Sequence, residues 1–141
     1  MGTLVKIVLL FILSQSMVLA QESITQTITV NINNLDNDKG VVYVSLYDSE
    51  HNFLNQGVRS ASAKIENNKC NVVFSNVPQG VYAISLYHDE NGNKKLDSNF
   101  LGIPKEDYGC SNNARGFMGP PKWNDAKFEV KNESIVQSIT L

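Results

Sequence analysis

Between His88 and Asp97 the chain places oxygen-bearing side chains at Asp89, Asn91, Asn93 and Asp97, with the main-chain carbonyl of Lys95 between the last two. This is the ligand order of positions 1, 3, 5, 7 and 9 in a calcium loop of about twelve residues, where a tight turn aims alternate residues at one hard cation. The expectation is calcium bound through Asp89, Asn91, Asn93, Lys95 and Asp97. Position twelve, usually a bidentate Glu, holds Phe100, which leaves Glu106 or Asp107 to fold back and complete the shell. A site so poor in carboxylate belongs at a dissociation constant of about 10⁻⁴ to 10⁻³ M, the range of extracellular modules. The competing reading is an ion-free hairpin turned at Asn91-Gly92. Residues 93 to 97 do not continue as an apolar strand, which favours the cation loop.

Other chemistry is sparser. A hydrolase-like enzyme would use His88 with Asp89, Glu90 and Asp97 at the same rim, helped by His51. The two histidines lie far apart in sequence, whereas zinc sites pair them closely. No nucleophile elbow, phosphate loop or metalloprotease pair occurs, so a non-enzymatic role is expected. A binding surface is offered by Tyr108, Arg115, Phe117 and Trp123, aromatics beside cations that suit a sugar or a peptide. Their alternative role is to fill the end of the core. Cys70 and Cys110 form either a disulfide, worth about 4 kcal/mol in unfolded-state entropy, or two separate buried thiols.

The elements that must position these residues are strands. Ile28, Val30 and Ile32 alternate with polar residues, as do Val42, Val44 and Leu46. A weak strand covers residues 58 to 65, and Cys70, Val72 and Phe74 share one face of the next. After the Val77-Pro78-Gln79-Gly80 turn, Tyr82, Ile84 and Leu86 define a fifth strand, apolar on both faces and therefore central, which delivers His88 and Asp89 to the rim. Ala126 to Val130 and Ile135 to Leu141 supply the last two. About seven short strands without an amphipathic helix predict an all-β, two-sheet antiparallel sandwich, transthyretin-like or immunoglobulin-like. The intervening segment, residues 98 to 123, is too rich in Leu, Ile, Tyr, Phe, Met and Trp for disorder, and one long ordered loop is expected there.

Lys6, the apolar run from Ile7 to Leu13 and the Val18-Leu19-Ala20 site predict a signal peptide over residues 1–20, with one domain at 21–141 in the periplasm or outside the cell. The run is too short to span a bilayer, so no membrane span is expected after its removal. A net charge of −2 offers no field for nucleic acid.

Several segments in one order carry a family resemblance: Phe74 with Val77-Pro78-Gln79-Gly80-Val81-Tyr82-Ala83, His88-Asp89-Glu90-Asn91-Gly92-Asn93 with Leu96-Asp97, and Leu101-Gly102-Ile103-Pro104-Lys105-Glu106. Tyr108-Gly109, Ser111-Asn112-Asn113, Gly119-Pro120-Pro121 and Asp125-Ala126 follow. Over residues 28 to 130 the chain resembles a secreted bacterial family catalogued as domain of unknown function 2141, a family without an assigned activity, so the resemblance implies a fold and leaves the function open. Two positions depart from that pattern: Cys110 stands where an aromatic is expected, and Lys94 where Gly is more usual. The Pro-Gln-Gly-Val-Tyr turn and acidic loop also look like transthyretin-like modules, such as the calcium-binding repeats of bacterial surface proteins.

Overall fold

The computed structural model describes residues 22–141, so the expected signal peptide lies outside the described residues. Eight strands are present: β1 (Thr25–Asn33), β2 (Val41–Tyr47), β3 (Arg59–Lys64), β4 (Lys69–Pro78), β5 (Gly80–Asp89), β6 (Tyr108–Cys110), β7 (Phe128–Val130) and β8 (Ile135–Thr140). They form a three-stranded sheet ordered β4-β1-β8 and a five-stranded sheet ordered β3-β2-β5-β6, in which β7 also pairs with β5. The alternation of β1, β2, β4 and β5 sends Ile28, Val30, Ile32, Val42, Val44, Leu46, Phe74, Ile84 and Leu86 into one core between the sheets. Among the described residues no helix is long and apolar enough to cross a membrane.

The architecture is the expected two-sheet sandwich, with two differences. One pairing is parallel: Ile28 faces Ile135 and Ile32 faces Ile139, so the last strand runs beside the first in the same direction. The strand beyond the expected seven is β6, which lies inside the segment expected to be a single long loop. That segment also holds a 3₁₀ turn at Ser111–Asn113 and the one-turn helix α1 (Trp123–Ala126).

The fifth strand is central, as its two apolar faces predict: one edge pairs with β2, the other with β6 and then β7. The turn before it does not make a hairpin, because β4 and β5 belong to different sheets and Pro78-Gln79-Gly80 carries the chain across. The Tyr82 hydroxyl braces that crossing by donating to the Pro78 carbonyl at 2.9 Å.

The two open sides of the sandwich are closed differently. On the β3–β4 side the Arg59 guanidinium lies 5.4 Å from the Phe74 ring centre and donates to the Ser75 carbonyl at 2.6 Å. On the β6–β8 side the backbone of Gly109 packs directly on β8: a Cβ there would stand 2.8 Å from side-chain atoms of both Ile139 and Leu141.

Cys70 and Cys110 are free thiols, which corrects the expected disulfide. Cys70 on β4 packs against the core between the sheets, whereas Cys110 on β6 belongs to a second cluster with Tyr47, Ala83, Trp123 and Ala126. Burial pushes each thiol up to about 11, so neither supplies a thiolate for exchange near neutral pH.

Candidate functional site

β5 ends at Asp89, and the next eight residues, 90 to 97, close a loop around that carboxylate. Asp89 is fully buried; its Oδ1 accepts the Gly92 amide and its Oδ2 the Lys94 amide, both at 2.9 Å. Asn91 Oδ1 then accepts the Asn93 amide at 3.1 Å, and Asn93 Oδ1 accepts the Lys95 amide at 3.0 Å. Asn91 and Asn93 each turn the chain back by two residues, the local habit of Asn and Asp, while Asp89 gathers amides three and five residues on. Two left-handed residues make this winding possible, Gly92 at φ 74° and Lys94 at φ 61°. Lys94 is the sixth residue counted from Asp89, where a calcium loop makes its sharp turn and usually has Gly.

Asp97 closes the ring. Its Oδ2 accepts from Asn91 Nδ2 at 2.7 Å, and both its oxygens accept from Asn93 Nδ2, at 2.8 and 2.9 Å. These bonds, first from Asn93 and then from Asn91, hold the Asp97 carboxyl below its ordinary value, with Lys105 and Lys95 adding to the effect. The side-chain amides therefore place the positive ends of their dipoles where a cation would sit against Asp97. Among the described residues no group of three or more His, Cys, Asp and Glu could hold a metal; the oxygens available here are two carboxylates, two amides and a backbone carbonyl.

The ion-free hairpin does not form. The strand after Asn91-Gly92 is not its neighbour in sequence but β6, whose Tyr108 pairs with Tyr87. Glu106, one of two residues expected to fold back, does so: Oε1 accepts the Glu90 amide and Oε2 the Asp97 amide, both at 3.1 Å. Its carboxylate thus ties the entrance of the loop to its exit. The Lys105 amide donates to the Asp97 carbonyl at 2.7 Å beside it. Asp107, the other expected residue, turns elsewhere: burial and then the nearby Asp36 and Glu90 raise its carboxyl above the ordinary value, His88 opposing them.

His88 is sealed in the core end, fully buried, with Nε2 2.6 Å from the Lys39 carbonyl and Nδ1 without a protein partner. It reaches no external substrate, which removes the acid/base group on which the hydrolase-like alternative rested. Behind it the β1–β2 connection presses on the loop. Gly40 has φ 66°, and a Cβ there would stand 1.9 Å from the Asp89 carbonyl oxygen.

The four residues expected to form a ligand surface separate. Tyr108 lies on β6 and lines a trough beside it. Arg115 donates to the Thr140 carbonyl at 3.3 Å, while Phe117 is 93% exposed. Trp123 is buried, its ring edge-on to Phe53 at 5.7 Å, so it fills the end of the sandwich.

Sequence reasoning missed the structural use of Ser111-Asn112-Asn113. Ser111 Oγ accepts the Ile84 amide at 2.9 Å and donates to the Ala126 carbonyl at 2.5 Å. Asn112 donates to the Asp125 and Lys127 carbonyls at 3.1 and 2.8 Å. Asn113 acts as a strand for the free edge of β8, donating to the Ser138 carbonyl at 3.2 Å and accepting the Thr140 amide at 2.9 Å. The available signal was three consecutive small polar residues directly after the Tyr108-Gly109-Cys110 strand.

Neither a curated protein nor a solved structure matches this chain. A family model described as an uncharacterized protein conserved in bacteria, DUF2141, matches residues 30–138, a span holding both the Asp89 loop and the Ser111-Asn112-Asn113 brace. The chain belongs to that family.

Proposed function

We propose that this protein is an exported module, periplasmic or extracellular, that binds an external ligand on a β-sandwich whose rim loop is locked by calcium. Calcium would be held through Asp89, Asn91, Asn93, the Lys95 carbonyl and Asp97. The observation that carries this reading is the winding of residues 89 to 97. Asp89 gathers the Gly92 and Lys94 amides, and Lys94 adopts φ 61° at the sixth position despite carrying a side chain. A non-Gly residue there is uncommon and costs strain, which the surrounding hydrogen bonds must offset.

A hard cation prefers oxygen to nitrogen, so binding would exchange the Asn91 and Asn93 amide donors on Asp97 for a shared ion. The loop would stiffen, and with it residues 98 to 107, which Asp97 and Glu106 hold. Magnesium fits less well because it demands a tighter octahedral shell. Titration calorimetry of the mature protein with calcium and with magnesium is the test. Heat and thermal stabilisation in millimolar calcium support the reading, and their absence removes the metal from it. Export is checked by the mass of the processed chain, which should begin at Gln21.

A further inference from the structure

The outer face of the five-stranded sheet carries a trough. Register sets Ser45 opposite Ser85 and Ser85 opposite Cys110, so a row of small side chains crosses β2, β5 and β6. On one side of this low floor stand Tyr87 and Tyr108, opposite each other, with the Tyr43 ring stacked 5.5 Å from that of Tyr87. On the other stands Tyr47, backed by Phe53 at 5.4 Å. Residues 101 to 104, Gly116 and residues 118 to 121 line the trough from the loop side as its roof. The trough has a volume of about 790 Å³, within the roughly 300–1,000 Å³ of small-molecule sites.

The lining decides what can enter. Among the described residues, none of those lining the trough is charged at neutral pH. The floor hydroxyls already bond one another, Tyr47 Oη with Ser85 Oγ at 2.9 Å and Ser45 Oγ with Ser60 Oγ at 3.2 Å. An ionised ligand would lose its water without gaining a partner. An oligosaccharide would bring many hydroxyls to a floor whose own are engaged. The mouth is apolar: Leu101, Ile103 and Met118 line it and are 68, 56 and 94% exposed.

We propose that this trough binds an uncharged amphiphile, a long-chain alcohol or monoacylglycerol in type, with the chain under the roof and the hydroxyl head among the tyrosines. This names the ligand class of the binding module proposed above and rests on that reading. Leu96, on the trough wall, precedes Asp97, so the cation loop and the roof are parts of one segment.

A matched pair of fluorescent probes tests it on the mature protein: neutral N-phenyl-1-naphthylamine, and 8-anilinonaphthalene-1-sulfonate, which adds one negative charge to the same skeleton. The neutral probe should bind at one site and about tenfold or more tighter than the sulfonate. Dodecanol should displace it and dodecanoate at pH 8 should not. Ser85→Phe fills the floor and should abolish binding. If that variant does not fold, Met118→Lys at an exposed position decides instead, and should shift the preference towards the sulfonate. No saturable binding, a preference for the sulfonate in the native chain, or neutral binding that survives in a folded Ser85→Phe or is unmoved by Met118→Lys overturns the proposal. The calcium titration is read without probe. Probe binding with a silent calcium titration therefore overturns the metal reading alone, and calcium binding without probe binding overturns this one alone.

Discussion

The Ser111 hydroxyl oxygen accepts the backbone amide of Ile84 at 2.9 Å, at the point on the edge of β5 where β6 has ended and β7 has not begun. Both groups are buried, so no water can replace the bond. Ser111→Ala leaves that amide unpaired and should cost about 1–3 kcal/mol. Urea unfolding should show a lower midpoint with an unchanged slope, because the folded and unfolded surfaces stay the same. An unchanged midpoint would mean that β5 finds another acceptor.

Gly40 and Asp89 make the second prediction. Gly40→Ala adds a methyl at φ 66° with only 1.9 Å to the Asp89 carbonyl oxygen, and the neighbour is backbone that cannot swing aside. The variant should lose more than about 1 kcal/mol. The displaced Asp89 should also weaken any calcium-induced rise in the melting midpoint, measured by thermal scans with and without calcium.

The calcium proposed for the Asp89 loop, at ten times its dissociation constant, should add about 1.4 kcal/mol to stability. Asp89→Ala should abolish that increment. The pH dependence has a definite sign. The Asp97 carboxyl is held below 3.8 by Asn93 and Asn91, so its contribution is present above that value and is lost as pH falls through the folded one. Calcium binding should disappear over the same acid range, since protons and the cation compete for the same oxygens.

Asp107 behaves in the opposite way. Burial, Asp36 and Glu90 raise its carboxyl above 3.8, so the stability of its protonated form is complete below 3.8 and is lost as pH rises through the folded value. Asp107→Asn, which mimics the protonated group, should stabilise the protein at pH 7. The gain should shrink as pH falls towards 3.8. Melting curves of the two proteins across that range check both statements.

The thiols give a direct chemical prediction. Cys70 and Cys110 lie in separate clusters and are each pushed up to about 11, so both should resist labelling while folded and react once unfolded. Reducing agents should leave the melting midpoint where it is. A denatured, unreduced sample with no reactive thiol would restore the disulfide.

What could be read from the sequence was what alternation encodes. β1, β2 and β4 announce themselves because every second residue is apolar, β5 because both its faces are, and the loop after β5 does so through oxygen spacing. β6 is three residues, Tyr-Gly-Cys, too short to alternate, and exists because β5 offers an edge and Gly109 fits under β8. The direction of β8 is equally silent, since a parallel and an antiparallel strand share one pattern. Trp123 and Tyr108 have the same aromatic character in the sequence, yet one is buried against Phe53 and the other stands over a trough. That trough joins Ser45, Ser85 and Cys110, which meet only through register.

The parallel pairing of β1 with β8 has a temporal side. β1 is the middle strand of its sheet, and its parallel partner spans Ile135–Thr140, with six other strands between them in sequence. A ribosome must therefore have passed β2 to β7 before this sheet can close. Contacts that bridge more than a hundred residues, such as Ile28 with Ile135, put folding in the slow class, about milliseconds to seconds. Until then the first strand has only β4 beside it, and one edge of its backbone waits without a ladder partner.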